Sequence, residues 1–270
     1  LSLHDALPIC WTDANHKDSD IRIMLYQTWD NTYKSVDYMN PDSGFVYIHG
    51  PKLHDMYSSN NRFRLENYQG ALNAPGEWFL DRNGELTYIP REGEEPDAAK
   101  VFAPALRNLL ILNGTKGKVF RNLSFQHTSF LLPAKGTNPY QAASHLDATV
   151  MLNDSEGIVL ENCEIKHTGN YALSFDHSHD CRMEHSFLYD LGGGGVKMDD
   201  SQHIQIINNI IRKGGQVFPS GVGVLIRQSS QVKALHNEVC DLRYSGFSVG
   251  WVWGYGKSLS FENEIAFNHI

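Results

Sequence analysis

A six-residue phrase recurs along this chain, and its spacing limits the folds open to it. It reads Asn122-Leu123-Ser124-Phe125-Gln126-His127, then Asn162-Cys163-Glu164-Ile165-Lys166-His167, then His185-Ser186-Phe187-Leu188-Tyr189-Asp190. Two further copies are Asn208-Asn209-Ile210-Ile211-Arg212-Lys213 and His236-Asn237-Glu238-Val239-Cys240-Asp241, and a sixth begins at Phe267-Asn268-His269-Ile270. Counted from the second residue, the steps are 40, 23, 23, 28 and 31. Repetition on this scale marks one supersecondary unit stacked on itself.

The apolar residues around the phrase decide which unit. They alternate, as in Ile158 and Leu160, Ile204 and Ile206, and Val232 and Ala234. Alternation is the strand period, whereas a helical repeat needs apolar positions three and four apart over ten or more residues. Gly- and Asn-rich stretches such as Gly192–Gly195 and Lys213-Gly214-Gly215 fall between the alternating pieces and make turns. Short strands at this step predict an all-β, right-handed parallel β-helix with about three strands per coil. Asn tolerates the left-handed backbone a sharp corner requires, and stacked coils set equivalent residues about 4.8 Å apart. Asn122, Asn162, Asn208 and Asn237 are therefore expected to form a structural ladder, not a site.

Composition narrows the function. The net charge is −8 with no basic block, which argues against nucleic acid or an anionic membrane surface as partner. No run approaches the roughly 18 apolar residues of a membrane span. Cys10, Cys163, Cys181 and Cys240 fit no zinc spacing, and none of the histidines forms a metal-binding motif, so no metal or cofactor is expected.

Both ends read as unnatural. Residues 1–9, Leu-Ser-Leu-His-Asp-Ala-Leu-Pro-Ile, match the translation of a sequencing adapter and are excluded from fold reasoning. Any signal peptide is expected to have been lost with the true N-terminus. Ile270 falls inside the sixth phrase, so the solenoid is expected to be incomplete at its C-terminus. Residues 10–105 carry no phrase and predict an N-terminal β-rich module, with coils over residues 106–270. Within the module, Trp78-Phe79-Leu80 and Leu86-Thr87-Tyr88 flank Asn83-Gly84, a hairpin signal.

Several stretches carry a family resemblance. They are Arg64–Asn67, Ala71–Asp81, Gly84–Pro90, Asn122–His127, Pro219–Val224 and Gly246–Gly256. The sequence is similar to bacterial right-handed β-helix glycosidases, and most resembles glycoside hydrolase family 141, which includes α-L-fucosidases and xylanases. The resemblance covers residues 11–270. It implies secretion to the periplasm or cell surface and action on plant or host polysaccharide. It also places the catalytic carboxylates on coils beyond Gly256, so catalytic residues are left unassigned and the fragment is expected to be inactive. A monomer is expected.

Glycosidases need two carboxylates, about 5–5.5 Å apart for retention or about 6.5–9.5 Å for inversion. Asp176, Asp180, the pair Asp199 and Asp200, and Asp241 read first as turn residues. Asp199 and Asp200 are sequence neighbours and should point to opposite faces. His127 and His167 occupy matching places in the phrase and read as structural. His145 and Asp147, in Ser-His-Leu-Asp, would share a strand face and reach sugar hydroxyls. Arg227 ends a strand and offers a fork to a carboxylate. Trp251, Trp253 and Tyr255 alternate and would present one aromatic face to sugar rings. A polysaccharide lyase and a non-enzymatic glycan-binding or adhesin-like solenoid remain the alternatives to a glycoside hydrolase.

Overall fold

The computed structural model describes residues 21–40, 43–51, 61–81 and 83–270. The adapter-like residues 1–9 and Cys10 lie outside the described residues. The chain divides into two compact units, one running to Phe102 with Leu132–Asn138, the other comprising Ala103–Leu131 and Pro139–Ile270.

In the first unit, β1 (Arg22–Tyr26), β2 (Asn31–Asn40), β3 (Phe45–His49) and β4 (Phe63–Glu66) form an antiparallel sheet in the order β3-β2-β1-β4. Ile23, Leu25, Val36 and Val46 pack into its core. Leu132–Asn138 joins this unit through main-chain bonds between Tyr33 and Thr137. The expected hairpin is present: β5 (Trp78–Leu80) pairs antiparallel with β6 (Leu86–Tyr88). Its turn is organised by the Asp81 carboxylate, which accepts the amides of Asn83 and Glu85 at 2.8 Å each, with Gly84 at φ 87°. Asp81 thus acts as the local acceptor that Asx turns supply.

The second unit is an all-β solenoid, a right-handed parallel β-helix. Its coils run β7 (Leu110–Asn113), β8 (Val119–Arg121), β9 (Ser124–Gln126); β10 (Ala148–Asn153), β11 (Val159–Glu161), β12 (Glu164–Thr168); and β13 (Tyr171–Asp176), β14 (Arg182–Glu184), β15 (Phe187–Leu191). They continue as β16 (Val196–Asp199), β17 (Gln205–Ile207), β18 (Ile210–Arg212); β19 (Val224–Arg227), β20 (Lys233–Leu235), β21 (Glu238–Cys240); and β22 (Phe247–Gly250), β23 (Glu264–Ala266). Every third strand stacks in parallel, giving three sheets that start at β7, β8 and β9. The alternating apolar residues point inward and stack in register: Leu152, Phe175, Met198 and Ile226 on the first sheet, Leu160, Met183, Ile206 and Ala234 on the second, Ile165, Leu188, Ile211 and Val239 on the third. All are buried in one continuous core, each worth roughly 1.5–3 kcal/mol where the side chain is large.

The corners explain the phrase. Its first residue is left-handed in every copy: Asn122, Asn162, His185, Asn208, His236 and Phe267 have φ between 50° and 58°. Its second residue turns inward and builds the ladder. The Ser186 hydroxyl accepts the Cys163 amide at 3.0 Å, Asn209 Oδ1 accepts the Ser186 amide at 2.9 Å, and Asn237 Oδ1 accepts the Asn209 amide at 3.0 Å. The expected asparagine ladder therefore exists, but as two ladders: Asn237 belongs to the buried one. Asn162 Nδ2 donates to Asn122 Oδ1 at 2.6 Å in the outer one. A further ladder runs along the corner after the first sheet. There the hydroxyls of Ser178, Ser201 and Ser229 accept the amides of Ser155, Ser178 and Ser201 at 3.1 Å each.

Gly192–Gly195 serves another purpose. A Cβ at Gly194 would run into the Val222 carbonyl and the Tyr171 ring, and one at Gly195 would meet the Gly223 carbonyl at 2.5 Å. The four glycines let adjacent coils touch backbone to backbone.

Candidate functional site

On two of the three solenoid sheets the outward charges are matched locally. Arg121 pairs with Glu161 at 2.6 Å and Arg182 with Glu184 at 3.0 Å on the second sheet. Lys166 pairs with Glu164 at 2.9 Å, and Arg212 with Glu238, on the third. Glu161 and Glu184 stand in register, but each has its own arginine.

The first sheet differs. Its last outward positions form a row across the coils: Asn113, Asn153, Asp176, Asp199, Arg227 and Gly250. Asn153 donates to Asn113 at 2.9 Å. Asp176 and Asp199 oppose each other directly on neighbouring strands, an arrangement that weakens a sheet. Arg227, one coil on, reaches Asp199 at 3.3 Å. Burial pushes the Asp199 carboxyl above the usual carboxylate range, Arg227 pulls it back, and Asp176 adds to the rise. Asp176 also takes a 2.8 Å contact from His177, whose other nitrogen faces Asp200 at 3.5 Å. Burial opposes charge on His177, yet the bond to Asp176 and the charges of Asp176, Asp200 and Asp154 outweigh it and raise its pKa.

Residues 139–147 border this row. His145 and Asp147 do not share a strand face as expected; both precede β10 and lie in a loop. The loop closes on itself through the Ala143 amide to the Tyr140 carbonyl at 2.9 Å and the His145 amide to the Pro139 carbonyl at 3.2 Å, which removes these residues from any ladder. The His145 ring packs on Tyr140 with centroids 4.1 Å apart. Burial lowers the His145 pKa, and the cations Arg227 and Lys197 lower it further against Asp199. Asp147 in turn favours the charged form of Lys197. The pair His145 and Asp147, and Arg227, read apart from it in the sequence, thus converge on Lys197 and Asp199.

Trp251, Trp253 and Tyr255 also depart from expectation. They follow β22 in a loop, so they are not a strand-face strip. Trp251 adopts φ 81° and lies under the Arg227 guanidinium, 5.4 Å from ring centre to carbon, with its indole N–H donating to Ser248 at 3.1 Å. Trp253 is 77% exposed and 6.1 Å from Trp251, and Tyr255 is fully exposed. The departure follows from Gly250, at φ 111°, which ends the strand.

The turn reading holds for Asp180, Asp200 and Asp241, all left-handed corner residues at φ 56°, 43° and 55°. His127 and His167 stack at 5.0 Å, consistent with a structural role. Cys163, Cys181 and Cys240 are free thiols. Among the described residues no three His, Cys, Asp or Glu side chains are grouped to hold a metal.

The Asp176–Asp199 pair and Lys197 were not singled out from the sequence as a site. A signal existed. The steps of 23 and 28 that relate successive phrases also relate Asp176 to Asp199 and Asp199 to Arg227.

Comparisons with known proteins agree with this architecture. The family described as "Right handed beta helix region" matches residues 148–268. A solved structure described as "Glycoside hydrolase" superimposes with a TM-score of 0.75 at 21% identity, covering 88% of this chain. This chain spans about half of that structure, 52% of its length. No curated protein matches the chain. No helix among the described residues is long and apolar enough to cross a membrane.

Proposed function

We propose that the outward face of the first sheet is the glycan groove of a glycoside hydrolase, with Asp176 and Asp199 as its carboxylate pair. The observation that carries this is their in-register opposition on adjacent coils, with Asp199 held toward its protonated form. A carboxyl held toward its protonated form beside a second carboxyl can serve as the acid of the pair. Asp199 would donate its proton to the leaving oxygen, and Asp176, beside the cationic form of His177, would act as the carboxylate. Adjacent strands lie about 4.8 Å apart, nearer the separation of retaining enzymes than of inverting ones. Arg227 keeps Asp199 oriented. Asn113 and Asn153 extend the row with hydrogen-bonding groups, and Trp253 and Tyr255 offer aromatic faces for sugar rings.

The solved glycoside hydrolase of the same fold supports this reading, and the stretches similar to glycoside hydrolase family 141 support the narrower one. Plant or host polysaccharide is the proposed substrate, met outside the cytoplasm by a monomeric protein. Lys197 and Arg227 beside the acids also suit a lyase, and exposed Trp253 suits a binding solenoid.

The test is release of reducing ends from a panel of plant and host polysaccharides by residues 10–270 and by the Asp176→Asn and Asp199→Asn variants. Hydrolysis lost in either variant, with retained anomeric configuration by NMR, is the expected result. Products bearing an unsaturated, ultraviolet-absorbing end would replace hydrolase with lyase. Binding without cleavage would leave the adhesin-like reading. Cleavage indifferent to both variants would place the carboxylates elsewhere within residues 10–270 and refute this pair.

A further inference from the structure

We infer that Lys197 is the positioning residue of this groove: its ammonium fastens residues 139–147 to the first sheet and so sets His145 and Asp147 at the groove's edge. The functional part of this inference rests on the glycan-groove reading; the structural part does not.

Residues 139–147 hold a backbone that alanine and tyrosine do not choose. Tyr140, Ala142 and Ala143 have φ of 65°, 58° and 49°. Each Cβ in that region crowds the adjacent carbonyl, so such residues persist only where surrounding structure over-determines them. Two side chains from the sheet do so here. The Tyr171 hydroxyl donates to the Ala142 carbonyl at 2.5 Å and accepts the Val222 amide at 3.1 Å. Lys197 donates to the Ser144 carbonyl at 3.3 Å and, more closely, to the Leu146 carbonyl. Its ammonium lies 5.8 Å from the centre of the Tyr171 ring.

The two anchors differ in kind. Tyr171 is fully buried and neutral, which suits a fastening that serves stability alone. Lys197 brings a charge to a partly buried place, which is costly. Burial lowers its pKa, and the surrounding groups are Asp147, Arg227, Asp176 and Asp199. These are the charges of the groove itself. The same ammonium that grips two loop carbonyls therefore balances Asp147 and the carboxylate pair, and it helps keep His145 uncharged. A neutral clamp would hold the loop without doing either.

The experiment compares the full chain with Lys197→Met and Lys197→Arg. In Lys197→Met, amide exchange over residues 139–147 should rise about tenfold or more, as expected for loss of charge-assisted bonds to two carbonyls. The thermal midpoint should fall only modestly, because the bonds lost belong to one loop that can open without unfolding the coils. The His145 ring, followed by NMR, should titrate at higher pH, because the cation and part of the burial that lower its pKa are both lost. Lys197→Arg should recover most of both effects. Unchanged exchange in the loop, exchange rising equally through the whole solenoid, or an unmoved His145 titration would each overturn the inference. Affinity electrophoresis on the same glycan panel adds the functional arm, where Lys197→Met should weaken retardation and Lys197→Arg restore it. If the unaltered chain is retarded by no glycan, the groove reading fails, while exchange and titration still decide the role of Lys197 in the loop.

Discussion

Replacing Asn237 by Ala probes the ladder that holds the coils in register. Asn237 is 1% exposed. Its Oδ1 accepts the Asn209 amide at 3.0 Å and the Asn209 side-chain Nδ2 at 3.1 Å. Its Nδ2 donates to the Ile206 carbonyl at 2.8 Å and to Asn268 Oδ1 at 3.0 Å. Truncation leaves the Asn209 amide buried without an acceptor, which alone costs roughly 1–3 kcal/mol, and removes bonds worth about 1 kcal/mol each elsewhere. A total loss of roughly 3–5 kcal/mol is expected after allowing for partial relaxation. Because each coil contacts only its neighbours, the loss should be felt first in the coils on either side. Native-state amide exchange reads this directly: the Asn209 amide should exchange about a hundredfold faster or more. Asn237→Ser supplies an internal control. Ser186 already fills the equivalent place and accepts the Cys163 amide at 3.0 Å. The Ser variant should therefore lose only about 1–2 kcal/mol. An Asn209 amide exchanging at its original rate in Asn237→Ala, or a Ser variant as damaged as the Ala one, would refute the ladder as the source of register.

Gly194→Ala should destabilise by roughly 1–3 kcal/mol or more in a denaturant titration, since its Cβ would meet the Val222 carbonyl and the Tyr171 ring. Asp199→Asn should stabilise the fold at neutral pH. The folded pKa of Asp199 is raised, so its ionised form is disfavoured by folding, and that penalty vanishes as pH falls through the folded value toward the ordinary ~3.9. The gain in thermal midpoint should therefore shrink on acidification, and a gain independent of pH would contradict the shift. Trp253→Ala should weaken glycan retardation in affinity electrophoresis without lowering the thermal midpoint, because the side chain is 77% exposed; a fall in midpoint would make it a packing residue.

The hairpin at Asn83-Gly84, the inward alternation of Ile158 and Leu160, and the corner asparagines were all legible, because each is a local property with a fixed period. The aromatic run was misread for the same reason. Alternation of Trp251, Trp253 and Tyr255 implies one face only if the backbone is extended, and Gly250 at φ 111° ends the strand before them. His145 and Asp147 do not form a strand pair, because they lie in a loop whose Ser144 and Leu146 carbonyls accept from Lys197.

The sequence by itself determined the solenoid, its three strands per coil and the left-handed corners, because stacking repeats the same steric and hydrogen-bonding demands every coil. It also held the steps that bring Asp176, Asp199 and Arg227 into one row. Only the tertiary structure decided what surrounds this row. Charge pairing on the other two sheets and the loop that Lys197 fastens beside this row depend on which surfaces are covered. Coverage is set by contacts between distant segments, and no local period records it.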